Sequence, residues 1–528
     1  MRKRYFLCIE LKDVIAESAL DYSLLARRHR THLKALLDAI EQAAQDRRVH
    51  AILVIVRQPE LGWAQAEELA AALDRFRRAG KSVTVFLGSA GNREYFLATA
   101  GDSIYLAPSG SVNLVGLRAE TIFLKEGLQW LGIQPQLVRT GQYKTAGDMF
   151  TRAEMSEAHQ EQTRMLLDDL QAELVERTSQ CRRRTGEEVV RWIEGGPYSA
   201  SEAKQTGLVD DLLFEDQVIH KLEQAGLARR DLARYKVGDG FFKRLLVRRP
   251  QVAMVVAEGL IAPGRSWRTG GRHMVCGSET MARFLADARR RKRIRGLVLR
   301  INSPGGSALA SDAVWREVRL TAEKKPVVVS MGDVAASGGY YIATAARKIL
   351  SRRATITGSI GVIGGKMVVR ELLEKLRLRV DSVSGAGHAG FQSSLQPYSF
   401  EERTLLARHM EEFYRGHFVP KVMEGRGKSE NEVLQLAQGR VWSGRTAHSN
   451  GLVDAIGGIR EAVEEVKSLC RLAPARRIRL VVYARRPSLR EMLVPGFGPT
   501  AWMETLADLT QILQEEILAL WPFETRIR

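Results

Sequence analysis

The chain is one domain pattern written twice, so its fold must be something that two successive stretches can each build. The run RVHAILVIVRQP from Arg48 returns as RIRGLVLRINSP from Arg293, a shift of 245 positions. The shift persists when EYFLATAGDSIYL at Glu94 returns as GYYIATAARKIL at Gly339. After a one-residue slip, GLVD at Gly207 to Asp210 recurs at Gly451 to Asp454. The copies part company at one place. Where the second carries Ser337 in AASGGYY, the first carries Asn92 in AGNREYF. Conversely, the first has Lys144 in RTGQYKTAGDMF, and the matching stretch SGAGHAGFQ offers His388 or Ala389, depending on the slip. At these two matching positions neither half holds both the serine and the lysine.

Each copy alternates short β-rich runs with helical stretches. AILVIV, SVTVFL, GLVLRI and PVVVSM are separated by segments such as AQAEELAAALDRFRRA and SDAVWREVRLTAEK. Strands spaced this way predict βαβ units and mainly parallel sheets, an α/β fold. Long charged helical regions follow at Ala153 to Arg183 and Phe400 to Phe418, and the polar, basic stretch Gly226 to Arg249 is the natural joint. The expected organisation is one domain over 1–240, a second over 241–472 and an extension over 473–528. In that extension IRLVVY reads as a strand. Ala501 to Trp521 reads as a helix with one apolar stripe, from Trp502 to Leu520, and an acidic opposite face. An interfacial membrane helix favours Lys and Arg on its polar face, so this helix is expected to dock on protein.

Composition narrows the function classes. The net charge is +19, with arginines clustered at Arg289 to Arg295 and Arg476 to Arg486. They are otherwise scattered and lack an aromatic-interleaved reading motif, which argues against a nucleic-acid partner and leaves a solvated surface, with peripheral attraction to anionic lipid, as the meaning of the charge. Cys8, Cys181, Cys276 and Cys470 lie far apart, without metal-ligand spacing, and read as free thiols. The apolar run after MRKR is too short for a signal peptide and reads as a first strand. No stretch reaches the roughly 18 apolar residues of a membrane span, so a cytoplasmic or peripherally membrane-associated chain is expected.

The chemistry concentrates between Asn302 and Gly364. In NSPGGSALASD the residues Pro304, Gly305 and Gly306 read as a turn whose bare backbone lets another group approach closely. A purely structural turn has the same sequence. Further on, strand VVVSM and turn GDVAA lead to Ser337 at the opening of a small-residue helix, where helix-terminal amides favour developing negative charge. An N-cap serine would occupy the same position. Gly338 and Gly339, poor helix formers, speak for space beside the serine instead. Serine needs a base, and no histidine lies between Ser337 and His388. Lysine can serve if burial depresses its pKa. Lys144 has a glycine-rich context with no acidic residue between Glu126 and Asp148.

These motifs together, SPGGSALAS, GDVAASGGYYIA, TITGSIGVIG, TGQYKTAGDMF and GRVWSGRTAHSNGLVDAIGG, resemble the signal peptide peptidase A (protease IV) family, peptidase family S49, in its long tandem-repeat form. The resemblance spans nearly the whole chain. It implies tandem ClpP/crotonase-like domains built of repeated ββα-type units, the first carrying the lysine and the second the serine. It also implies a serine endopeptidase with a Ser/Lys dyad. The family's nucleophile falls on Ser337, its general base on Lys144 and the serine that holds the lysine on Ser359. Backbone amides near Gly305, Gly306 and Gly338 are the candidates for an oxyanion hole. No metal or organic cofactor is needed. Family substrates are hydrophobic remnants of cleaved signal peptides and other unfolded peptides, and the family assembles as a homo-oligomer, by resemblance a tetramer. The tandem form often carries an N-terminal membrane anchor, and the short apolar run after MRKR is not expected to be one.

Three other readings remain. The same fold hosts acyl-CoA hydratases and isomerases, which have no serine nucleophile. A catalytically inactive scaffold would explain the loss of the serine from one copy, though not the retention of complementary partners. Within the peptidase class, His388 could replace Lys144 as base.

Overall fold

The computed structural model describes residues 4–17, 32–232, 235, 249–269, 273–483, 518–520 and 526–527. The chain divides into two compact units, one made of Met1–Arg118 and Asp168–Arg249, the other of Ala119–Leu167 and Pro250–Ile527. The segment that bears Lys144 therefore belongs to the same unit as Ser337.

In the first unit a six-stranded sheet runs, in spatial order, Ala228–Asp231, Tyr5–Val14, Val49–Glu60, Ser82–Leu87, Ser103–Leu106 and Asp211–Leu212, all parallel. The second repeats this order with Arg479–Tyr483, Gln251–Glu258, Ile294–Ser303, Val327–Ala336, Lys348–Ser351 and Ala455–Ile456, again parallel. Parallel neighbours require crossovers, and helices such as Trp63–Arg78 and Ala308–Ala322 supply them. The central strands are buried on both faces, which is why AILVIV and GLVLRI are nearly unbroken apolar runs. Each fully buried Val, Leu or Ile in them contributes about 1.5–3 kcal/mol relative to exposure.

The tandem α/β architecture is the one expected. The first strand, Tyr5–Val14, starts in the basic N-terminal run, and IRLVVY forms the strand Arg479–Tyr483. The long helical regions are Glu157–Arg182 and Phe400–Phe413, the latter running into a π-helical turn at Tyr414–Phe418. All four cysteines are free. Among the described residues no helix is long and apolar enough to cross a membrane.

Three expectations are corrected. GDVAA is not a turn: the strand Val327–Ala336 continues through it by changing partners. On one edge Leu297–Ile301 pairs with Val327–Met331 and, after a register shift, Ser303 with Ala335, while on the other edge the partner changes from Lys348–Leu350 to Ile356–Gly358. Nor is NSPGG only a turn, because Gly305–Ser307 is itself a strand paired with Leu260–Ala262 through Gly306 and Ile261. Finally, the helix expected over 501–521 falls mostly outside the described residues, and where it is described, at Leu518–Leu520, the chain is a strand. Backbone pairing with two neighbouring strands there replaces the local helical preference. Most of the joint over 226–249 also lies outside the described residues.

Candidate active site

Ser337 stands between the end of the strand Val327–Ala336 and the helix Gly338–Ala343. Its backbone has φ 54° and ψ −114°, a conformation that costs a non-glycine residue on the order of 1–3 kcal/mol. Two bonds hold it there: its N–H donates to Gly358 O at 2.7 Å, and its carbonyl accepts from Tyr341 N at 2.8 Å. The side chain does not cap the helix, as an N-cap serine would. Instead Oγ lies 2.6 Å from Lys144 Nζ.

Lys144 reaches that position because its segment is zipped onto the serine's unit. The strand Gln134–Thr140 pairs antiparallel with Val362–Val368 over seven residues, ending with Thr140 opposite Val362. Beyond Thr140 the chain turns at Gly141, and Tyr143 N donates to Gln438 O at 2.8 Å. Gly439 then lies against the lysine backbone so tightly that a Cβ there would come within 2.5–2.6 Å of Lys144 N, Cα and Cβ. Gln162, fully buried, secures the same turn by donating to Thr145 Oγ1 at 2.7 Å and to Tyr143 O at 3.3 Å.

Nζ contacts three oxygens, all from serines: Ser337 Oγ, Ser359 Oγ at 3.0 Å and Ser359 O at 3.1 Å. Among the described residues no carboxylate bonds to it, and the side chain is buried, so desolvation pushes its pKa well below the ordinary lysine value. A neutral amine has two N–H donors and one lone pair. With the two oxygens of Ser359 accepting those donors, the lone pair of a neutral Lys144 would face the Ser337 hydroxyl. Ser359 is itself held at φ 53°, with its N–H donating to Arg440 O at 2.7 Å.

Glycines make the third side of the site. Gly306 has φ 153°, and a Cβ on it would fall 1.9 Å from Ile261 O. Gly338 faces it: a Cβ there would lie 3.2 Å from Gly305 Cα, 3.3 Å from Gly306 N and 2.5 Å from Ser311 Oγ. Three side-chain-free residues thus converge beside Ser337. His388 takes no part; it is exposed, in the non-helical stretch between the helices Arg370–Lys375 and Phe400–Phe413.

Ser337, Lys144, Ser359, Gly305, Gly306 and Gly338 are therefore brought together. The sequence reading missed Gly439 and Gln162. Gly439 opens the GRVWSG motif, so a signal was present. Gln162 sits in an ordinary charged helix and gave none.

An α/β scaffold with a strained, buried serine against a buried lysine amine is that of a serine-type peptidase. The family model described as Peptidase family S49 matches residues 75–228 and again 319–473. The chain belongs to that family. It is 32% identical over 478 residues to "Serine protease SPPA, chloroplastic" of Arabidopsis thaliana, covering 88% of this chain and 70% of the relative. It is 31% identical to "Protease 4" of Haemophilus influenzae, covering 82% and 72%. A shorter match, 34% identical over 36% of this chain and 54% of the relative, is "Putative signal peptide peptidase SppA" of Enterococcus faecium.

Proposed function

We propose that Ser337 is the nucleophile and Lys144 the general base of a serine endopeptidase that hydrolyses unfolded or hydrophobic peptides, including remnants of cleaved signal peptides. The observation that carries this reading is the 2.6 Å contact between Lys144 Nζ and Ser337 Oγ, with serine oxygens as the amine's hydrogen-bond partners among the described residues. The neutral amine takes the hydroxyl proton as Oγ attacks the peptide carbonyl carbon, and the carbonyl π pair moves onto oxygen. Amides at Gly306 and Gly338 are the candidates to receive that oxyanion, each correctly aimed donor being worth about 3 kcal/mol, whereas Gly305 N already donates to Ser303 Oγ at 3.2 Å. Collapse expels the amine product, which leaves with the proton from the lysine ammonium. Water then repeats the sequence on the acyl-enzyme. Ser359 keeps the lone pair aimed by accepting both N–H groups.

Only the neutral lysine can act, so the rate falls as pH drops through its depressed pKa. The test is casein hydrolysis by wild type, Ser337→Ala, Lys144→Ala and His388→Ala. Loss in the first two with full activity in the third is expected. An active Lys144→Ala with an inactive His388→Ala would overturn the base assignment.

The substrate class rests on likeness to relatives named as signal peptide peptidases. The reading extends to a homo-oligomer, a tetramer by the same likeness. Trp130, Leu131, Leu376 and Leu378 are exposed and their segments adjoin, with Leu372 N donating to Gly132 O at 3.0 Å. Such an apolar patch fits burial between copies. Light scattering that gives a monomer at all concentrations would remove this part. Peripheral membrane contact rests on the charge of +19, and absence of binding to anionic liposomes at moderate salt would remove that.

A further inference from the structure

Lys144 Nζ is aimed by two arms of chain, the turn 141–145 that carries it and Ser359 that accepts from it, and Arg440 touches both. Arg440 lies just beyond the antiparallel pairing of Val441–Ser443 with Ile356–Gly358. Its carbonyl accepts from Ser359 N at 2.7 Å. Its guanidinium carbon lies 4.6 Å from the ring centroid of Tyr143, the residue before Lys144, and 4.8 Å from that of Trp442. Glu161 ties the two side chains together, accepting from Arg440 Nη2 at 2.7 Å and from Tyr143 Oη at 2.7 Å. The nucleophile belongs to the same packing. Ser337 N donates to Gly358 O, and a Cβ on Gly358 would fall 3.0 Å from Arg440 O and 2.9 Å from Trp442 Cδ1.

Stability does not account for this residue. The Glu161 side chain is half exposed, and an ion pair of that kind contributes little. Arg440 Nε is buried without a hydrogen-bond partner among the described residues, which costs stability. The first copy shows what the scaffold alone requires. There Ser111–Val112 pairs with Tyr198–Ser199 as Ile356–Thr357 pairs with Trp442–Ser443. Counting outward from those pairs, Leu114 stands where the second copy has Ser359, and Gly196 where it has Arg440. The same sheet edge is thus built without an arginine in the copy that carries Asn92 in place of Ser337.

We propose that Arg440 is a positioning residue of the site: its main chain fixes Ser359, its side chain fixes Tyr143, and together they set Lys144 Nζ against the oxygens that aim it. The proposal rests on the Ser337/Lys144 reading for its effect on rate, though not for its effect on local structure. A planar guanidinium suits the task because its faces stack on aromatic rings while its edge bonds a carboxylate. Without it the Tyr143 ring keeps only its bond to a half-exposed carboxylate, and the turn 141–145 is free to shift against Ser359.

The test uses the full chain as wild type, Arg440→Met, Tyr143→Phe and the double variant. Arg440→Met is expected to lower kcat for casein about 100-fold, the scale of a 1 Å misplacement, with KM unchanged. Tyr143→Phe removes one oxygen and leaves the ring, so it keeps the test open if Arg440→Met folds poorly. Its expected loss is about tenfold, the scale of one hydrogen bond to a charged group. The double variant should lose no more than Arg440→Met, since both changes act through one contact; losses that multiply would overturn the proposal. The acid limb of the pH–rate profile should also move to higher pH in Arg440→Met, because a displaced amine meets water and recovers part of its ordinary basicity. The bond between Tyr143 and Glu161 holds the carboxylate below its ordinary pKa and the phenol above its own, so neither titrates across that limb. Loss of rate by the same factor at every pH would assign Arg440 to the scaffold alone and overturn the proposal. Hydrogen exchange at the amides of Tyr143 and Ser359, in chains that also carry Ser337→Ala, reads the positioning without catalysis. Faster exchange at both is expected in Arg440→Met, and unchanged exchange would overturn the proposal. Casein hydrolysis that survives Ser337→Ala would instead overturn the site reading and leave the exchange result to be judged by itself.

Discussion

The two copies carry the same internal scaffold bonds and differ at one residue that matters. In the first, Tyr95 Oη donates to Leu208 O at 2.9 Å; in the second, Tyr340 Oη donates to Leu452 O at 2.9 Å. Ile104 N donates to Asp210 Oδ2 at 2.7 Å, and Ile349 N to Asp454 Oδ2 at 2.7 Å. Arg182 pairs with Asp210 as Arg426 pairs with Asp454. At the next position of comparison the likeness ends. Asn92 opens its helix within ordinary backbone space and spends its amide on the chain, Nδ2 donating to Gly116 O at 2.8 Å and Oδ1 accepting from Val115 N at 3.2 Å. Ser337 sits at φ 54° and meets a lysine. Bonds that a parallel sheet needs in order to close recur in both copies. At this pair of equivalent positions, the strained backbone and the contact with a buried amine fall on the serine, where they can do chemistry.

The comparison breaks most visibly in activity. Ser337→Ala is expected to lower kcat by about 10⁴ or more, the scale for removing a serine nucleophile, while Asn92→Ala leaves kcat and KM for casein at wild-type values. A comparable loss of activity in both variants would show that the first copy contributes chemistry of its own.

A smaller effect comes from the clamp on the lysine. Gly439→Ala puts a methyl group within 2.6 Å of the Lys144 backbone, at a residue whose φ is +81°. The turn must move by a sizeable fraction of an ångström, and misplacement on that scale costs on the order of 100-fold in rate. Single-turnover kinetics with an unchanged KM would identify the loss as positional. An unchanged rate would show that the lysine does not depend on Gly439 for its place.

Gly439 also marks where the sequence stops being readable. The repeat, the glycine clusters and the Ser337/Lys144 complementarity are visible because each is local or recurs at a fixed shift. The α/β architecture follows from apolar runs such as AILVIV, which need no partner to be recognised. Lys144 against Gly439 is a contact across nearly 300 positions, and neither flanking sequence encodes the other. The positive φ of Ser337 is set by bonds to Gly358 O and Tyr341 N rather than by its own preference. GDVAA looks like a turn because Gly and Asp are turn residues, yet a change of strand partner makes it strand. Leu518–Leu520 fails in the opposite sense: leucine and alanine favour helix, and tertiary pairing overrides them.

The third prediction sharpens the comparison through stability. Lys144 is buried with its pKa depressed, so between that pKa and the ordinary value of 10.5 the unfolded chain binds a proton that the folded chain does not. Stability therefore rises with pH across this window. Lys144→Met removes the titration and the cost of neutralising the amine. Its melting temperature should exceed that of wild type near pH 7, and the margin should shrink as pH approaches 10.5. A margin that does not vary with pH would mean that the lysine is not neutral in the folded protein.

The smallest effect asks whether the two scaffolds are held alike. Tyr95→Phe and Tyr340→Phe each delete one hydroxyl and leave a buried carbonyl, Leu208 O or Leu452 O, without its side-chain donor. Removing one partner of a buried hydrogen bond costs about 1–3 kcal/mol. Both bonds are 2.9 Å long and both tyrosines are fully buried. Equal losses are therefore expected in urea denaturation, with the serine chemistry untouched by Tyr95→Phe. Tyr340 lies three residues from Ser337 on the helix that follows it, so its loss can also loosen the serine, and Tyr340→Phe should lower kcat where Tyr95→Phe does not. Equal stability losses with unequal activity losses would show that the same bond serves only the fold in one copy and both fold and site in the other. Unequal stability losses would mean that the first copy, relieved of catalysis, has drifted in how it is held together.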